Sequence, residues 1–418
     1  MTFAQRTQHS RRWIVPLVLG VSLYIAFIDR MNLSIAMPHI AEHYGWTASE
    51  VGSKGGLLLG SFFVAYGISN ILLSGFAARM GARRSLIALV ICFSIFTALG
   101  APLGNSLALF VLTRVLLGFG EGVHFPMMSV VTQNWFPVFE RSRANAIWGF
   151  GSILAMVTMP IFLVPVIEKF GWQAMLLVCG ALGLLVTVPL LYLVIFDTPR
   201  RAPYMSREEI EFIEHGLSSD VAPVPADWSF LRSHVFILAA IGAVLNNFCC
   251  YGIINWLPTY FVKARSMDFS NLWYAASLPY VAAFVAFVLF GLLGDKLNRR
   301  IPFAAAGFLA TTICLLYAIK APTIPLAVAA FSTATFFQSA YISQEFAIVQ
   351  RILPSEILGK AAGVYTGISV LGGAVGGTIL LGQIVAFTGS YDAGLYSVVV
   401  ASILGAVVMG LLSRSVKY

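Results

Sequence analysis

Charge is scarce in this chain. Asp, Glu, Lys and Arg make up 11% of its 418 residues and hydrophobic residues 59%, whereas soluble domains carry roughly 25% charged residues. That shortage excludes an ordinary soluble fold, which would have to expose large sticky patches. Cysteine is scarce too. Cys92, Cys179, Cys249, Cys250 and Cys314 all lie inside apolar runs without metal-ligand spacing, so they read as small apolar filler, and neither disulfides nor a metal site is expected. The histidines do not cluster, and there is no G-x-x-x-x-G-K-[ST] loop, which argues against direct use of ATP. With no nucleophile–base pair the sequence carries no enzyme signature, and no cofactor is expected. The formal charge of +8 is spread over short loops and not gathered on one face, so nucleic acid is not expected as a partner.

What the chain does have is apolar sequence in runs long enough to cross a bilayer, each near the ~20 residues a membrane helix needs. Twelve runs fall at roughly 13–37, 53–77, 85–104, 107–131, 144–167, 173–196, 234–261, 271–293, 301–319, 324–349, 358–386 and 393–412. The first is too long for a cleavable signal peptide. The expected fold class is an all-α membrane protein, with twelve transmembrane helices in two pseudo-symmetric six-helix bundles. The expected domains are 1–196, a cytoplasmic linker 197–232, and 233–418.

Charge placement orients the chain. With a cytoplasmic N-terminus, 19 of the 26 Lys and Arg residues fall on the cytoplasmic side and 5 on the other, leaving Arg30 and Arg114 within the membrane. Such asymmetry is the positive-inside rule, and it puts both termini in the cytoplasm. The two halves also match at an offset of 217: Ala78-Arg79 maps onto Asp295-Lys296, and Pro137 and Arg143 map onto Pro354 and Lys360. Two loops sharing one offset indicate duplication of a six-helix unit, an arrangement that puts a solute site between the halves near the midplane. In the linker, Ser206 and Glu209 read as a capping box that starts a short amphipathic helix within a solvated connector.

Five ionisable residues lie deep in the runs: Asp29, Arg30, Arg114, Glu121 and Glu345. Burying them is costly, so each points to a cavity, a partner or a function. Two arginines suit an anionic substrate, because a guanidinium stays charged and grips a carboxylate with two parallel hydrogen bonds. Arg114 and Glu121 stand two helical turns apart on one face, with Gly118 between them. Asp29 and Glu121 are the proton carriers expected from this set, since burial and a nearby arginine push a carboxyl in opposite directions. The offset maps Asp29 onto Asn246, Arg30 onto Asn247 and Glu121 onto Gln338. The first half would thus couple to ions while the second supplies neutral hydrogen bonds. Gly363/Gly367, Gly372/Gly376 and Gly373/Gly377 have the four-residue spacing that allows close helix contact.

Several stretches resemble the major facilitator superfamily. The loops around Arg79 and Asp295 resemble its signature loop. Arg114-Val-Leu-Leu-Gly118, Glu121-Gly-Val-His-Phe-Pro126, Trp135-Phe-Pro137 and Glu140-Arg141-Ser142-Arg143 resemble its anion:cation symporter branch. So do Arg30-Met-Asn32-Leu, Gly60-Ser61-Phe62-Phe63-x-x-Tyr66-Gly67, Trp256-Leu-Pro258-Thr-Tyr260-Phe and Asp197-Thr-Pro199. That branch holds bacterial sugar-acid and aromatic-acid carriers, sialin and the vesicular glutamate transporters. The resemblance implies that Arg30 and Arg114 hold the substrate anion, that Glu121 and Asp29 take the coupling proton, and that Tyr66 lines the pocket. It implies that the loops carrying Arg79, Arg83, Asp295, Lys296 and Arg299 lock the cytoplasmic side when the carrier faces outward.

There are departures. Ala78 stands where the signature loop usually has an aspartate. Leu59 and Asn246 replace a histidine and an arginine of the glutamate transporters, and Val370 replaces a pocket asparagine found in relatives. The fifth run lacks the glycine-proline motif associated with antiporters, which favours symport.

The function expected is therefore proton-coupled symport of a small organic anion through a bacterial inner membrane, by a monomer whose other partner is the lipid bilayer. A sugar acid such as a hexonate or hexuronate is the first substrate, with Asn246, Asn247, Gln338 and Glu345 as further binding residues. An aromatic or small carboxylate is the second. The rival readings are an organic phosphate:phosphate antiporter, which needs the arginines but no titrating carboxyl pair, and a non-transporting nutrient receptor.

Overall fold

The computed structural model describes residues 11–217, 229–297, 300–352 and 358–416. These residues are helical almost throughout. Ten stretches among them are long and apolar enough to cross a membrane, by length and composition. One, Val138–Val194, runs for 57 residues and covers two of the predicted runs. Gly171 turns the chain between them with a φ of 83°, a conformation that favours glycine. Ile324–Ile352 matches a further predicted run, but Gln338, Gln344, Glu345 and its hydroxyl residues dilute its apolarity and keep it out of the ten.

The helices used below are α1 (Ile14–His43), α2 (Gly56–Met80), α3 (Ala82–Leu103), α4 (Leu107–Glu121), α5 (His124–Trp135), α6 (Val138–Leu182), α7 (Val188–Val194) and α8 (Arg207–Gly216). After these come α9 (His234–Thr259), α10 (Leu272–Leu297), α11 (Arg300–Lys320), α12 (Ile324–Ile352), α13 (Leu358–Ser369), α14 (Leu381–Thr388) and α15 (Tyr391–Ser415). Contacts group the chain into two compact units. One comprises Met1–Arg30, Ala65–Met156 and Gln173–Pro223; the other comprises Met31–Val64, Val157–Trp172 and Val224–Tyr418.

In the first unit the linker helix is docked, not solvated. Ser206 accepts from the backbone N–H of Glu209 at 3.3 Å, which is half of the expected capping box. The Glu209 carboxylate does something else. It accepts from the backbone N–H of Arg12 at 3.1 Å and from the Arg12 guanidinium at 2.9 Å. Arg12 also grips Glu140, at the start of α6, with two hydrogen bonds of 3.0 and 2.9 Å. Glu209 and Ile213 are fully buried, and the Arg12 guanidinium lies over the Phe212 ring at 5.0 Å. Burial of an amphipathic face against the bundle, with the buried charges paired, overrides the solvation expected of a polar connector. Only the outward ends stay wet. There the exposed Arg200 pairs with Glu214, whose carboxyl it holds below the usual range.

Breaking a buried ion pair on one side leaves an uncompensated charge and costs roughly 3–5 kcal/mol. Arg12→Ala should therefore lower the apparent melting temperature of the purified protein clearly. Arg12→Ala combined with Glu209→Leu should recover part of that loss. A single variant as stable as wild type would mean that the linker helix is held by other contacts.

The start of α3 draws on the same linker region. Gly81 precedes it with a φ of 92°, and Asp197 accepts from the backbone N–H of Arg83 at 2.9 Å, capping the helix from outside. Asn134 donates to the Asp197 carbonyl and Trp135 to the Phe196 carbonyl. In the second unit, the glycine stretch after α13 forms two π-helical turns, Val370–Ala374 and Gly376–Leu380. A Cβ on Gly373 or Gly377 would lie 2.4 Å from Val244 O or 2.3 Å from Phe248 O of α9. The predicted close contact at these glycines is therefore present, and its partner is α9. Gly363 is helical, but nothing of its surroundings is described.

Candidate functional site: a buried charge cluster on α1, α2 and α4

α4 stops at Glu121 for a reason written in the next residues. Pro126 has no N–H to give to the carbonyl four residues back, that of Gly122, and its ring crowds that carbonyl. The helix breaks at Gly122–Val123, and α5 begins at His124. A break in hydrocarbon leaves polar groups that must be satisfied by the protein or by water. α2 does this. Asn70 donates its side-chain amide to the Gly122 carbonyl at 3.0 Å, and Ser69 donates its hydroxyl to the Phe119 carbonyl. The approach is close. A Cβ on Gly122 would sit 2.5 Å from the Tyr66 carbonyl oxygen.

Glu121, at the edge of this break, is 1% exposed. Its Oε1 accepts from Arg30 Nε of α1 at 3.0 Å, and Arg30 Nη2 donates to the same oxygen. Oε2 has no hydrogen-bond partner among the described residues. The Arg30 guanidinium carbon lies 4.5 Å from the centroid of the Phe27 ring and 4.7 Å from that of the half-buried Tyr66. Arg114, 2% exposed, spends its two terminal nitrogens on the main chain of α1. It donates to the Asp29 and Arg30 carbonyls at 3.1 Å each. Asp29 is fully buried, and the Thr97 hydroxyl stands beside its carboxyl.

Five of the predicted site residues, Asp29, Arg30, Tyr66, Arg114 and Glu121, thus come together within one unit. Their pairing differs from the one-face reading of α4. Glu121 is bonded to Arg30, not to Arg114. Seven residues of helix rise about 10.5 Å, too far for a direct bond along α4, whereas α1 crosses at the right height.

The remaining site residues lie in the second unit. The Gln338 side chain is buried and donates to the Asn246 carbonyl at 3.2 Å, while Asn246 Oδ1 is buried without a partner among the described residues. Asn247 is half-buried. Glu345 is half-buried beside the Tyr365 hydroxyl, which is 3.0 Å from that of Tyr341. In the loops Arg79 and Lys296 are exposed. Arg83 is engaged within its own unit, donating to the Tyr192 carbonyl with its guanidinium 4.2 Å from the Phe196 ring centroid. Arg299 and Pro354 lie outside the described residues, as does the side chain of Asp295.

The sequence reading missed Phe27, Ser69, Asn70 and a buried pair in which Ser22 Oγ lies 2.8 Å from His124 Nε2. It also missed Gln344, which takes a hydrogen bond from Arg300 at 2.8 Å and gives one to the Phe290 carbonyl at 2.7 Å, tying α10, α11 and α12 together.

The family model of the Major Facilitator Superfamily matches residues 19–377 and 270–417. The chain belongs to the major facilitator superfamily. Membership makes it a multi-pass membrane carrier and not an enzyme. Among its relatives is the probable sulfoacetate transporter SauU of Cupriavidus necator, 31% identical over 396 residues, covering 90% of this chain and 88% of that one. Another is the probable galactarate/D-glucarate transporter GudP of Escherichia coli K12, 26% identical and covering 96% and 92%. Among solved structures the fold matches a bacterial homologue of the human lysosomal transporter Spinster, with a TM-score of 0.82 at 19% identity and 97% of each chain covered. These names accord with the anion:cation symporter resemblance.

Proposed function

We propose that this carrier imports a small organic anion together with a proton through a bacterial inner membrane, with both termini in the cytoplasm. It works as a monomer, with no cofactor besides the coupling proton. A sugar acid of the hexonate or hexuronate type is the first substrate. An aromatic or small carboxylate is the second. The relatives support the anion class, being named for sulfoacetate, galactarate and glucarate.

The observation that carries the reading is the buried pair between Arg30 and Glu121. A guanidinium holds a carboxylate along its edge with two donors. In the structure Glu121 occupies that edge. A substrate carboxylate needs the same donors, so anion and ionised Glu121 compete. Protonating Glu121 cancels its charge and frees the edge, so the proton and the anion bind as a pair. Asp29, fully buried near Glu121 and Arg114, is the second proton acceptor. Arg114 holds the α1 backbone that carries Arg30 and adds positive potential. Asn246, Asn247, Gln338 and Glu345 add polar contacts to the substrate, and the loops with Arg79, Arg83, Asp295, Lys296 and Arg299 gate the cytoplasmic side.

A thermal-shift screen of the purified protein tests this, because a ligand at about a hundred times its Kd stabilises the folded state by about 2.7 kcal/mol. The expected result is stabilisation by one or a few sugar acids, larger at acidic than at alkaline pH. Stabilisation by inorganic phosphate and sugar phosphates, equal at both pH values, would support the phosphate antiporter instead.

A further inference from the structure

Gly122 and Val123 lie in a turn and not in a helix, so the direction in which Glu121 points depends on what grips the two sides of the break. On the far side stands His124, the first residue of α5 and a group the reading above does not use. It is 2% exposed, its Nε2 lies 2.8 Å from the hydroxyl of the fully buried Ser22 of α1, and Phe93 of α3 meets its ring edge-on at 5.9 Å between centroids. A buried imidazole or hydroxyl left without a partner costs free energy, so each group holds the other, whichever of the two donates. Ser22 precedes Arg30 by eight residues on the same helix, about 12 Å of rise. α1 therefore grips the broken segment at two heights, at Glu121 through Arg30 and at His124 through Ser22.

We propose that His124 is a positioning residue for Glu121: its bond to Ser22 fixes the register of α1 against the break, and with it the height at which Arg30 meets Glu121. The inference rests on the reading of Glu121 as the coupling acid. Among the described residues, the charged groups acting on Glu121 are Arg30 and Asp29 of α1 and Arg114 of its own helix, and Arg30 acts on His124 as well. A guanidinium beside a carboxyl favours the ionised form. A looser register weakens that pair, so Glu121 takes its proton at a higher pH, and the Arg30 edge opens to the anion at a higher pH too.

The test needs no substrate. Infrared difference spectra of the purified carrier, recorded across pH, follow the protonated carboxyl band that Glu121→Gln lacks, and the midpoint of that band is the readout. Ser22→Ala and His124→Leu are each expected to move the midpoint upward by about half to one pH unit, the range to which one hydrogen bond corresponds. The double variant should move it no further than either change alone, because both remove the same bond. His124→Gln, whose amide reaches to the place of Nε2, should restore the wild-type midpoint, and the shorter His124→Asn should not. Ser22→Ala removes a single oxygen and keeps the test open where the larger change impairs folding. A midpoint that stays in place in Ser22→Ala and His124→Leu overturns the proposal, and a lowered melting temperature beside it would make the pair a packing contact. A shift in His124→Leu that Ser22→Ala does not share, or that His124→Gln does not restore, overturns it too, since the bond would not be the cause. A wild type in which no Glu121 band titrates overturns the coupling reading, and this proposal with it. A Glu121 band that titrates at one midpoint in every variant overturns this proposal alone.

Discussion

Glu121→Gln is expected to bind its anion at alkaline pH as tightly as the wild-type carrier does at acidic pH, and to lose uphill uptake. The glutamine cannot be ionised, so it mimics the protonated state and leaves the Arg30 edge available at every pH. Exchange of labelled for unlabelled substrate across a proteoliposome membrane should continue, because that half-cycle never needs the proton to leave. Accumulation is different. One pH unit is worth about 1.36 kcal/mol per proton, or tenfold in concentration, and in Glu121→Gln the accumulation ratio should collapse to about one. Asp29→Asn should behave likewise if Asp29 is a second acceptor. Uphill uptake that persists in Glu121→Gln would move the coupling proton to Asp29 or Glu345.

The second large effect separates the two arginines. Removing one partner of a buried charge pair costs about 2–5 kcal/mol or more, so Arg30→Ala should weaken anion binding by well over an order of magnitude. Arg30→Lys should do nearly as badly despite keeping the charge, because an ammonium offers neither the two-pronged edge nor a flat face to the rings. At alkaline pH Arg30→Ala should melt lower, because it leaves the Glu121 carboxylate buried without its partner; at acidic pH, with Glu121 neutral, both variants should melt near the wild-type temperature. Arg114 is bonded differently, to the consecutive carbonyls of Asp29 and Arg30. Arg114→Ala should lose affinity and melting temperature together, and Arg114→Lys should not restore either, since a point charge cannot span both carbonyls. Calorimetry and thermal melts on the four proteins decide it. Equal melting temperatures with unequal affinities throughout would return Arg114 to a purely anion-binding role.

Much of this was legible in the residues, for uneven reasons. Membrane runs announce themselves because lipid-facing surfaces must be apolar, and Asp29, Arg30, Arg114 and Glu121 stand out because charges there are so costly. Who pairs with whom was not legible. Arg114 and Glu121 share a helix face, yet the bond to Glu121 comes from α1, and a linear sequence does not say at what height two helices cross. The acceptors of Arg114 are main-chain carbonyls, which every residue has and which no side chain marks. Phe27 looks like any phenylalanine in a membrane run. Arg12 reads as one more cytoplasmic cation until Glu140 and Glu209, 128 and 197 residues away, are brought to it. The helix break was half visible. Pro126 announces it, but Ser69 and Asn70, which make it tolerable, are ordinary polar residues on another helix.

That repaired break has a consequence for how the proton travels. An interrupted helix deep in a bilayer usually draws in water to satisfy its loose ends, and such water would give protons a back door to a neighbouring acid. Here the loose carbonyls of Phe119 and Gly122 are taken up by Ser69 and Asn70, so the rear of Glu121 needs no hydration. If Glu121 carries the coupling proton as proposed, tying off that rear edge removes one route by which the proton could arrive without passing Arg30, and a leak of one without the other becomes harder to arrange.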